Sequence, residues 1–351
     1  MAIRVLIVED SPFMQRLLAA LIGEAGDLKV VGTAKDPIEA REKIKELDPH
    51  VITLDVEMPR MDGITFLERL MRLRPMPVVM VSSWTEANAE ITFRALELGA
   101  VDFVAKPRGE AGRDLGDFGV ALVEKIRAGA SAEMHAPHRA AKPRLTDAAA
   151  FRPGSLIAVG ASTGGTEAIR EFLMRLPPHA PPVVIVQHMP EMFTRLFARR
   201  LDEQCALKVT EAVHGAALAS GHAYVAPGNW HLSVAAGRRG FEARLSQEEP
   251  VNRHRPSVDV LFNSVAATAG ARGAGVLLTG MGRDGAEGLG VLRRAGAATF
   301  AQDRASSVVF GMPKAAIDSG FAEHVGPVEA LAERLLLALR AEAQPPRDMV
   351  R

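Results

Sequence analysis

The sequence has little cysteine, no net charge and no long apolar run, and each absence removes a class of protein. One cysteine, Cys205, in 351 residues excludes a disulfide framework and a multi-cysteine zinc site. The 42 basic residues balance 42 acidic ones, so a strongly basic nucleic-acid binder is not indicated. No apolar run approaches the ~20 residues that cross a bilayer, and the amino terminus shows no signal-peptide pattern. We therefore expect a cytoplasmic protein that neither binds nucleic acid nor inserts into a membrane.

What the sequence does contain is an alternation of short apolar runs and helical patterns. Its length suggests two domains at roughly 150 residues each, and its 48% hydrophobic and 24% charged residues are typical of globular proteins. Ser11-Pro12 predicts a helix start after the first run. Such alternation predicts an α/β fold with a parallel sheet covered on both faces. The predicted strands of the first half cover residues 4–8, 30–32, 50–54, 77–81 and 101–105.

The segment 129–153 differs, because it is rich in Ala, Pro, Arg and His and has no hydrophobic period. We interpret it as an interdomain linker, with an irregular interface segment as the alternative. This divides the chain into a domain at 1–128, the linker, and a second, larger α/β domain at 154–345. In the second domain, residues 224–226 and 232–234 flank Pro-Gly-Asn and predict a hairpin.

The first candidate site gathers polar residues at the ends of the strands of the first domain. Glu9, Asp10, Asp55, Ser82 and Lys106 each follow an apolar run, and ligands bind beyond the carboxyl ends of parallel strands. Three carboxylates together need a cation among them, and oxygen ligands at this density suit Mg²⁺. A lysine and a hydroxyl would help to place and stabilise a transferring phosphoryl group. The pattern predicts a phosphoryl acceptor, with Asp55 of the central strand as nucleophile.

The second candidate site begins at Ser162, within Gly-Ala-Ser-Thr-Gly at residues 160–164. This sequence fits a strand-to-helix turn that exposes a nucleophilic serine. It places the serine at a helix N-terminus, where free N–H groups favour an anion. A phosphate-binding loop is the alternative, although the loop lacks Gly-x-Gly-x-x-Gly and Gly-Lys-Ser/Thr.

A nucleophilic serine needs a base, and the base needs an acid to orient it. His188 ends the next predicted strand, and His254 in a basic turn competes with it. Asp284 lies in a glycine-rich loop after a further strand, and Asp303 competes because it also ends a strand. Position favours His188 and Asp284 without excluding their rivals. The resulting order, Ser–His–Asp, differs from that of ordinary α/β-hydrolases, and triads are recognised by geometry rather than order.

Residues 1–128 resemble a response-regulator receiver domain, with its flavodoxin-like fold. The resemblance implies a two-component system in which a histidine kinase phosphorylates Asp55, with Mg²⁺ as cofactor and a cis Lys106–Pro107 bond. The matching positions are the acid pair Glu9 and Asp10, the acceptor Asp55, the switch residues Ser82 and Phe103, and Lys106; Mg²⁺ would be held by the acid pair, Asp55 and the Glu57 carbonyl.

Residues 154–345 resemble the catalytic domain of chemotaxis protein-glutamate methylesterases, a Rossmann-like α/β/α serine-esterase domain with a mostly parallel sheet. The resemblance rests on long ordered motifs, found at 160–165, 187–190, 224–228, 251–262, 278–286 and 311–313. It implies the catalytic triad Ser162, His188 and Asp284, with no cofactor for the esterase. It also implies oxyanion or substrate contacts from Thr163, Gly164, Gly165 and Met281.

Together the two resemblances imply a phosphorylation-activated chemotaxis enzyme, both methylesterase and glutaminase. Its partners would be methylated chemoreceptor domains and a chemotaxis histidine kinase, and we expect a monomer. In the family, the unphosphorylated receiver covers the active-site face. The alternatives are a paralogous methylesterase of a non-motility chemosensory pathway, a non-catalytic binding module under receiver control, and a nucleotide-binding output domain.

Overall fold

The chain forms two parallel β-sheets, one in each half, and each sheet has helices on both faces. A computed structural model describes residues 2–58, 61–83, 85–107, 112–132, 150–238 and 240–341, with the backbone alone at 86–87 and 112–114. Both sheets are doubly wound, as the sequence predicts, and the α/β prediction is confirmed.

The first sheet has five parallel strands in the order β2-β1-β3-β4-β5. Helices α1 and α5 pack on one face, and α2, α3 and α4 on the other. The elements are β1 (Ile3–Val8), α1 (Pro12–Gly23), β2 (Leu28–Ala34), α2 (Pro37–Leu47), β3 (Val51–Asp55), α3 (Gly63–Leu73), β4 (Val78–Ser82), α4 (Glu86–Glu97), β5 (Asp102–Ala105) and α5 (Gly112–Ala130).

Local capping explains where the first helices begin. The Ser11 hydroxyl accepts a hydrogen bond from the Met14 N–H, and Pro12 occupies the first turn, which confirms the predicted helix start. Asp36 caps α2 in the same way ahead of Pro37. A side-chain acceptor here satisfies an N–H that the helix leaves free. Both caps lie just after strands, so each helix begins at the carboxyl edge of the sheet and runs back across one of its faces. Glu9 lies at this edge, between the end of β1 and the Ser11 cap.

The second sheet has seven parallel strands in the order β15-β14-β13-β6-β7-β10-β8, with a small antiparallel sheet β11-β12-β9 beside it. The strands are β6 (Leu156–Ala161), β7 (Val183–Gln187), β8 (Lys208–Glu211), β9 (Ala217–Leu218), β10 (His222–Val225), β11 (His231–Gly237), β12 (Gly240–Ser246), β13 (Gly273–Leu277), β14 (Ala298–Gln302) and β15 (His324–Gly326). The helices are α6 (Gly165–Leu173), α7 (Glu191–Gln204), α8 (Val258–Ala269), α9 (Ala286–Arg294), α10 (Met312–Asp318) and α11 (Val328–Ala338).

The predicted hairpin of residues 224–226 and 232–234 is wrong. β10 lies inside the parallel sheet between β7 and β8, so both of its edges are already paired. β11 pairs with β12 instead. A short buried run beside turn residues fits either arrangement, and the tertiary pairing decides between them.

The two sheets share one apolar contact region, formed by α4 and β5 on the first side and α7 on the second. Phe103 of β5 packs against Phe193 of α7 with ring centroids 4.3 Å apart. Phe93 of α4 stacks on Phe197, with centroids 5.8 Å apart and an interplanar angle of 5°. All four rings are buried, so the described halves pack directly on each other.

Two further expectations concern chain segments. Most of the proposed linker, residues 133–149, lies outside the described residues, while 129–130 belong to α5. Among the described helices, none has the length and apolar character needed to cross a membrane.

Candidate functional sites

Three predicted residues meet at the carboxyl edge of the second sheet. Ser162 directly follows β6, His188 follows β7, and Asp284 lies in the loop after β13, which pairs with β6. The His188 Nε2 atom lies 2.9 Å from Asp284 Oδ2. The other ring nitrogen, Nδ1, is buried without a hydrogen-bond partner. The imidazole thus has one nitrogen paired with an acid and one left to exchange a proton.

The Asp284 carboxylate is surrounded by hydrogen-bond donors. Besides His188, its oxygens accept hydrogen bonds from Asn252 Nδ2 at 2.8 Å, Ser257 Oγ at 2.8 Å and the Val258 N–H at 2.7 Å. Burial alone would raise the pKa of this carboxyl, but the bonds from His188, Asn252 and Val258 outweigh it and hold the pKa well below its usual range. Asp284 is therefore a fixed negative charge that orients the histidine.

Backbone contacts fix the serine turn. The Ser162 N–H donates to the Thr279 carbonyl at 3.0 Å, and Gln187 Nε2 donates to the Ser162 carbonyl at 2.8 Å. Gly164, at φ +75°, is in the left-handed region, and a Cβ there would meet the Val308 side chain at 2.6 Å. Ser162 is 6% exposed, and its hydroxyl makes no hydrogen bond to the described residues. Catalytic contacts are often long in unliganded enzymes.

The expected oxyanion contacts surround this turn. Gly165 opens α6, and its N–H donates to the Ser162 carbonyl at 2.8 Å. Met281 follows Gly280, whose Cα approaches Ser162 so closely that an added Cβ would lie 2.8 Å from the serine Cβ. Within the described residues, the Met281 N–H has no hydrogen-bond partner. It is thus free to donate to a bound oxygen.

His254 and Asp303, the competing candidates for the base and the acid, do not occupy the triad positions. His254 is not bonded to Asp284; its ring stacks on His188, with centroids 3.7 Å apart and an interplanar angle of 12°. Burial and the neighbouring His188 lower the pKa of His254 to about 3, so it is neutral near pH 7. The Asp303 carboxylate accepts hydrogen bonds from Ser306, 2.9 Å from the N–H and 2.7 Å from the hydroxyl, and serves its own turn.

Sequence reasoning missed the residues that hold the acid in place. Asn252 donates both to Asp284 and, at 2.7 Å, to Asp259, and Ser257 donates to Asp284. They lie in the 251–262 stretch, whose motif was apparent but whose roles were not. Because this stretch leaves the small antiparallel sheet and enters α8, only the folded chain brings it against the Asp284 loop.

The first sheet gathers the predicted acid cluster, Glu9, Asp10 and Asp55. One oxygen from each lies within 4.8 Å of the others. Lys106 Nζ is 3.0 Å from Glu9 and 2.9 Å from Asp55. Burial, and then repulsion from Asp55, raise the pKa of Glu9 to about 7, and burial raises that of Asp55 despite Lys106. One lysine thus leaves excess negative charge, and these hard oxygen donors fit Mg²⁺.

The predicted switch residues contact two helices, α4 and α7. Ser82 Oγ lies 2.9 Å from Thr92 Oγ1 of α4, and Phe103 packs against Phe193 of α7 in the second domain. The Glu57 carboxylate accepts a hydrogen bond from Asn88, and its predicted carbonyl role stays a prediction. The expected cis Lys106–Pro107 bond is wrong: the bond is trans, the intrinsically preferred form, and a cis bond lies at Arg255–Pro256 instead.

The two domains are joined by a polar contact next to the serine. Thr163 Oγ1 donates to Asp102 Oδ2 of β5 at 2.5 Å, and Lys125 of α5 also pairs with this carboxylate at 2.6 Å. Arg253 beside His254 lies 4.0 Å from Glu124 of α5. The first domain therefore contacts residues adjacent to both the serine and the histidine pair.

Known proteins match this chain in both halves. The family profile of the response regulator receiver domain matches residues 5–112, and that of CheB methylesterase matches residues 157–335. The protein-glutamate methylesterase/protein-glutamine glutaminase 1 of Dechloromonas aromatica is 52% identical over 345 residues, covering 96% of this chain and 99% of the relative. Its Burkholderia lata counterpart, numbered 3, is 54% identical over 347 residues, covering 96% of each. The Thermotoga maritima CheB methylesterase catalytic domain, a crystal structure, is 36% identical with a TM-score of 0.52, covering 53% of this chain and 99% of that one.

Proposed function

Because the chain belongs to the CheB methylesterase family and carries a receiver domain ahead of the catalytic one, we propose that it is a phosphorylation-activated protein-glutamate methylesterase and protein-glutamine glutaminase. Its substrates are methylated glutamates and glutamines of chemoreceptor cytoplasmic domains. It acts in the cytoplasm as a monomer, with a chemotaxis histidine kinase as phosphodonor. The observation that carries the catalytic part is the His188 ring, bonded to Asp284 on one nitrogen and unpartnered on the other.

The acylation step uses the triad in its ordinary roles. With Asp284 ionised, His188 Nε2 carries the proton and Nδ1 is the base. Ser162 Oγ attacks the ester carbonyl while Nδ1 takes its proton. The proton then passes to the leaving methoxy oxygen, so that methanol departs and a glutamyl-enzyme ester remains. The N–H groups of Met281, Thr163 and Gly164 stabilise the oxyanion, while that of Gly165 holds the turn by donating to the Ser162 carbonyl; losing one oxyanion donor costs ~3–4 kcal/mol.

Deacylation runs through the same groups. His188 takes a proton from water, the hydroxyl attacks the glutamyl ester, and Ser162 regains its proton as the glutamate leaves. With a glutamine substrate, ammonia leaves in place of methanol. His254, neutral and stacked on His188, adds no positive charge beside the imidazolium that forms in each step.

The receiver supplies the control. Glu9, Asp10, Asp55 and the Glu57 carbonyl would hold Mg²⁺, which neutralises charge on the incoming phosphoryl group. Asp55 is the acceptor, and Lys106 pairs with its carboxylate. Ser82 and Phe103 are the switch residues, and Phe103 already touches Phe193. Phosphorylation weakens this interdomain packing and uncovers Ser162, which is a population shift at an interface. The proposal divides the chain as 1–128, 129–153 and 154–345.

Methanol release from methylated receptor membranes tests the proposal. Wild type and Ser162→Ala are compared, each with and without acetyl phosphate and Mg²⁺. We expect release by wild type alone, stimulated by the phosphodonor. Equal release by both proteins would exclude Ser162 as nucleophile. No release from wild type, with receptors known to be methylated, would favour a binding module or another receptor system.

A further inference from the structure

The catalytic domain has a second concave surface, on the edge of its sheet opposite Ser162. This cleft lies at the amino ends of β6 and β7, where Ser155 and Pro182 precede the two strands. Its volume is about 510 Å³, within the ~300–1,000 Å³ of small-molecule sites. Because the triad occupies the carboxyl ends of the same strands, the esterase mechanism does not use this cleft.

The charge of the cleft has one sign. Arg152 and Arg272 line it, and none of the described residues that line it is acidic. The Arg272 guanidinium lies 5.8 Å from the centre of the Phe241 ring. It also passes so close to Gly154, at φ +74°, that a Cβ there would sit 2.6 Å from Arg272 Nη1. The arginine is thus packed in place, although it is exposed, and the cleft favours an anion.

Apolar and aromatic side chains form much of the remaining wall. Phe151 and Phe241 both line the cleft, together with Pro181, Pro182 and Leu218. The Phe151 ring lies 5.6 Å from the His179 ring. Phe151 keeps part of its surface exposed, and a planar ring bound in the cleft would cover that surface and gain from burial and stacking.

Two polar atoms of the lining residues lack partners. Ser155 Oγ is buried without a hydrogen bond, on a residue that is 4% exposed. Arg152 Nε is also buried and unpaired, although its Nη2 donates to the Ala338 carbonyl at 2.7 Å. Buried polar groups are nearly always satisfied, and each exception asks for an explanation. Both atoms belong to residues that line the cleft.

We propose that this cleft binds a small organic anion. Its aromatic or heteroaromatic ring lies against Phe151 and Phe241, and its carboxylate or phosphate pairs with Arg152 and Arg272. The segment 151–155, which leads into β6, forms one side of the site.

Isothermal titration calorimetry on the full chain tests the proposal with four probes. Benzoate and adenosine 5′-monophosphate combine a ring with a carboxylate or a phosphate, whereas inorganic phosphate and benzyl alcohol supply one part each. We expect at least one combined probe to bind about tenfold tighter than either part, and the better of the two identifies the anionic group. No binding by either combined probe, or equal binding by inorganic phosphate, would overturn the proposal.

Variants then locate the binding. Arg272→Ala should weaken the better probe about tenfold, and Ser155→Ala should weaken it less. Arg41→Ala, an exposed arginine of α2, is the matched control and should bind as wild type does. Thermal melting and methanol release check that each variant is folded, since the cleft lies opposite the triad. Unchanged affinity in Arg272→Ala would show that the probe binds elsewhere and would overturn the assignment.

Discussion

Each of the two parallel sheets has a polar cluster at its carboxyl edge, and the buried carboxylates of the two clusters differ in how well their negative charge is stabilised. In the receiver, three carboxylates lie together and Lys106 pairs with two of them, Glu9 and Asp55, whose pKa burial raises. In the catalytic domain, the buried Asp284 accepts hydrogen bonds from His188, Asn252, Ser257 and the backbone, and its pKa is held low. The first site therefore has excess negative charge, which favours binding of a cation, and that cation can in turn neutralise charge on a phosphoryl group. The second keeps one charge constant throughout the reaction.

Replacing Asp284, whose charge is fixed, should have the largest effect on catalytic activity. Asp284→Asn keeps the shape of the side chain but no longer fixes the proton on His188 Nε2, so we expect methanol release to fall about 10³–10⁴-fold. Asp303→Asn is the matched control, because Asp303 also ends a strand yet bonds only within its own turn. Initial rates of methanol release measure both variants. More than a tenth of wild-type activity in folded Asp284→Asn would refute the contrast between the two clusters.

Replacing Asp55, the proposed phosphoryl acceptor, should abolish stimulation by the phosphodonor without changing the unstimulated activity. In Asp55→Asn the acceptor is gone, so acetyl phosphate should no longer stimulate release, while release without the donor persists. Chelating Mg²⁺ with EDTA should have the same effect on wild type, since the acid cluster would lose its cation. Asp27→Asn, in a surface pair with Arg127, should respond to the donor normally. Rates with and without donor make the comparison, and a stimulated Asp55→Asn would place the phosphorylation site elsewhere.

The same contrast explains what the sequence predicts well. Asp55, Ser162, His188 and Asp284 all follow strands, and the parallel-sheet rule brings such residues to one edge whatever their separation in the chain. The structure places them there. Spacing alone left His254 and Asp303 as rivals, because strand ends offer more polar residues than a site uses.

The support of the site was beyond prediction from the residues. Asn252 and Ser257 reach Asp284 only through the path of the chain from β12 to α8. Likewise, the Thr163–Asp102 bond joins residues of two domains whose relative placement no local pattern encodes. The predicted β10 hairpin is wrong because β10 pairs with β7 and β8, which precede it in the chain, and not with the strand that follows it.

Breaking the polar contact between the two domains should have a moderate effect on activity. Asp102 accepts hydrogen bonds from Thr163 and Lys125, and a bond to a charged group contributes ~1.5–3 kcal/mol. Asp102→Asn weakens it, so unphosphorylated enzyme should release methanol about three- to tenfold faster. The gain should shrink once acetyl phosphate has opened the wild type. Asp202→Asn, in an exposed pair with Lys208, should change neither rate. A slower Asp102→Asn would indicate that the contact supports catalysis rather than inhibiting it.

His254 should give the smallest effect, visible in stability as a function of pH. Burial, His188, Lys125 and Arg253 lower its pKa from 6.5 to about 3, against the opposing pull of Asp284. As pH falls below 6.5, the imidazole of residue 254 becomes protonated in the unfolded chain but stays neutral in the folded protein until about pH 3. The stability that is present above pH 6.5 is therefore lost progressively between pH 6.5 and pH 3. Between pH 7.5 and 5, wild type should lose about 1–2 kcal/mol more unfolding free energy than His254→Gln. Urea unfolding at both pH values measures the difference, with His222→Gln, at the opposite edge of the sheet, as control. If wild type and His254→Gln lost the same unfolding free energy, the His254 ring would take up its proton in the folded protein as readily as in the unfolded chain. A positive charge would then be tolerated beside His188, contrary to the role proposed for a neutral His254.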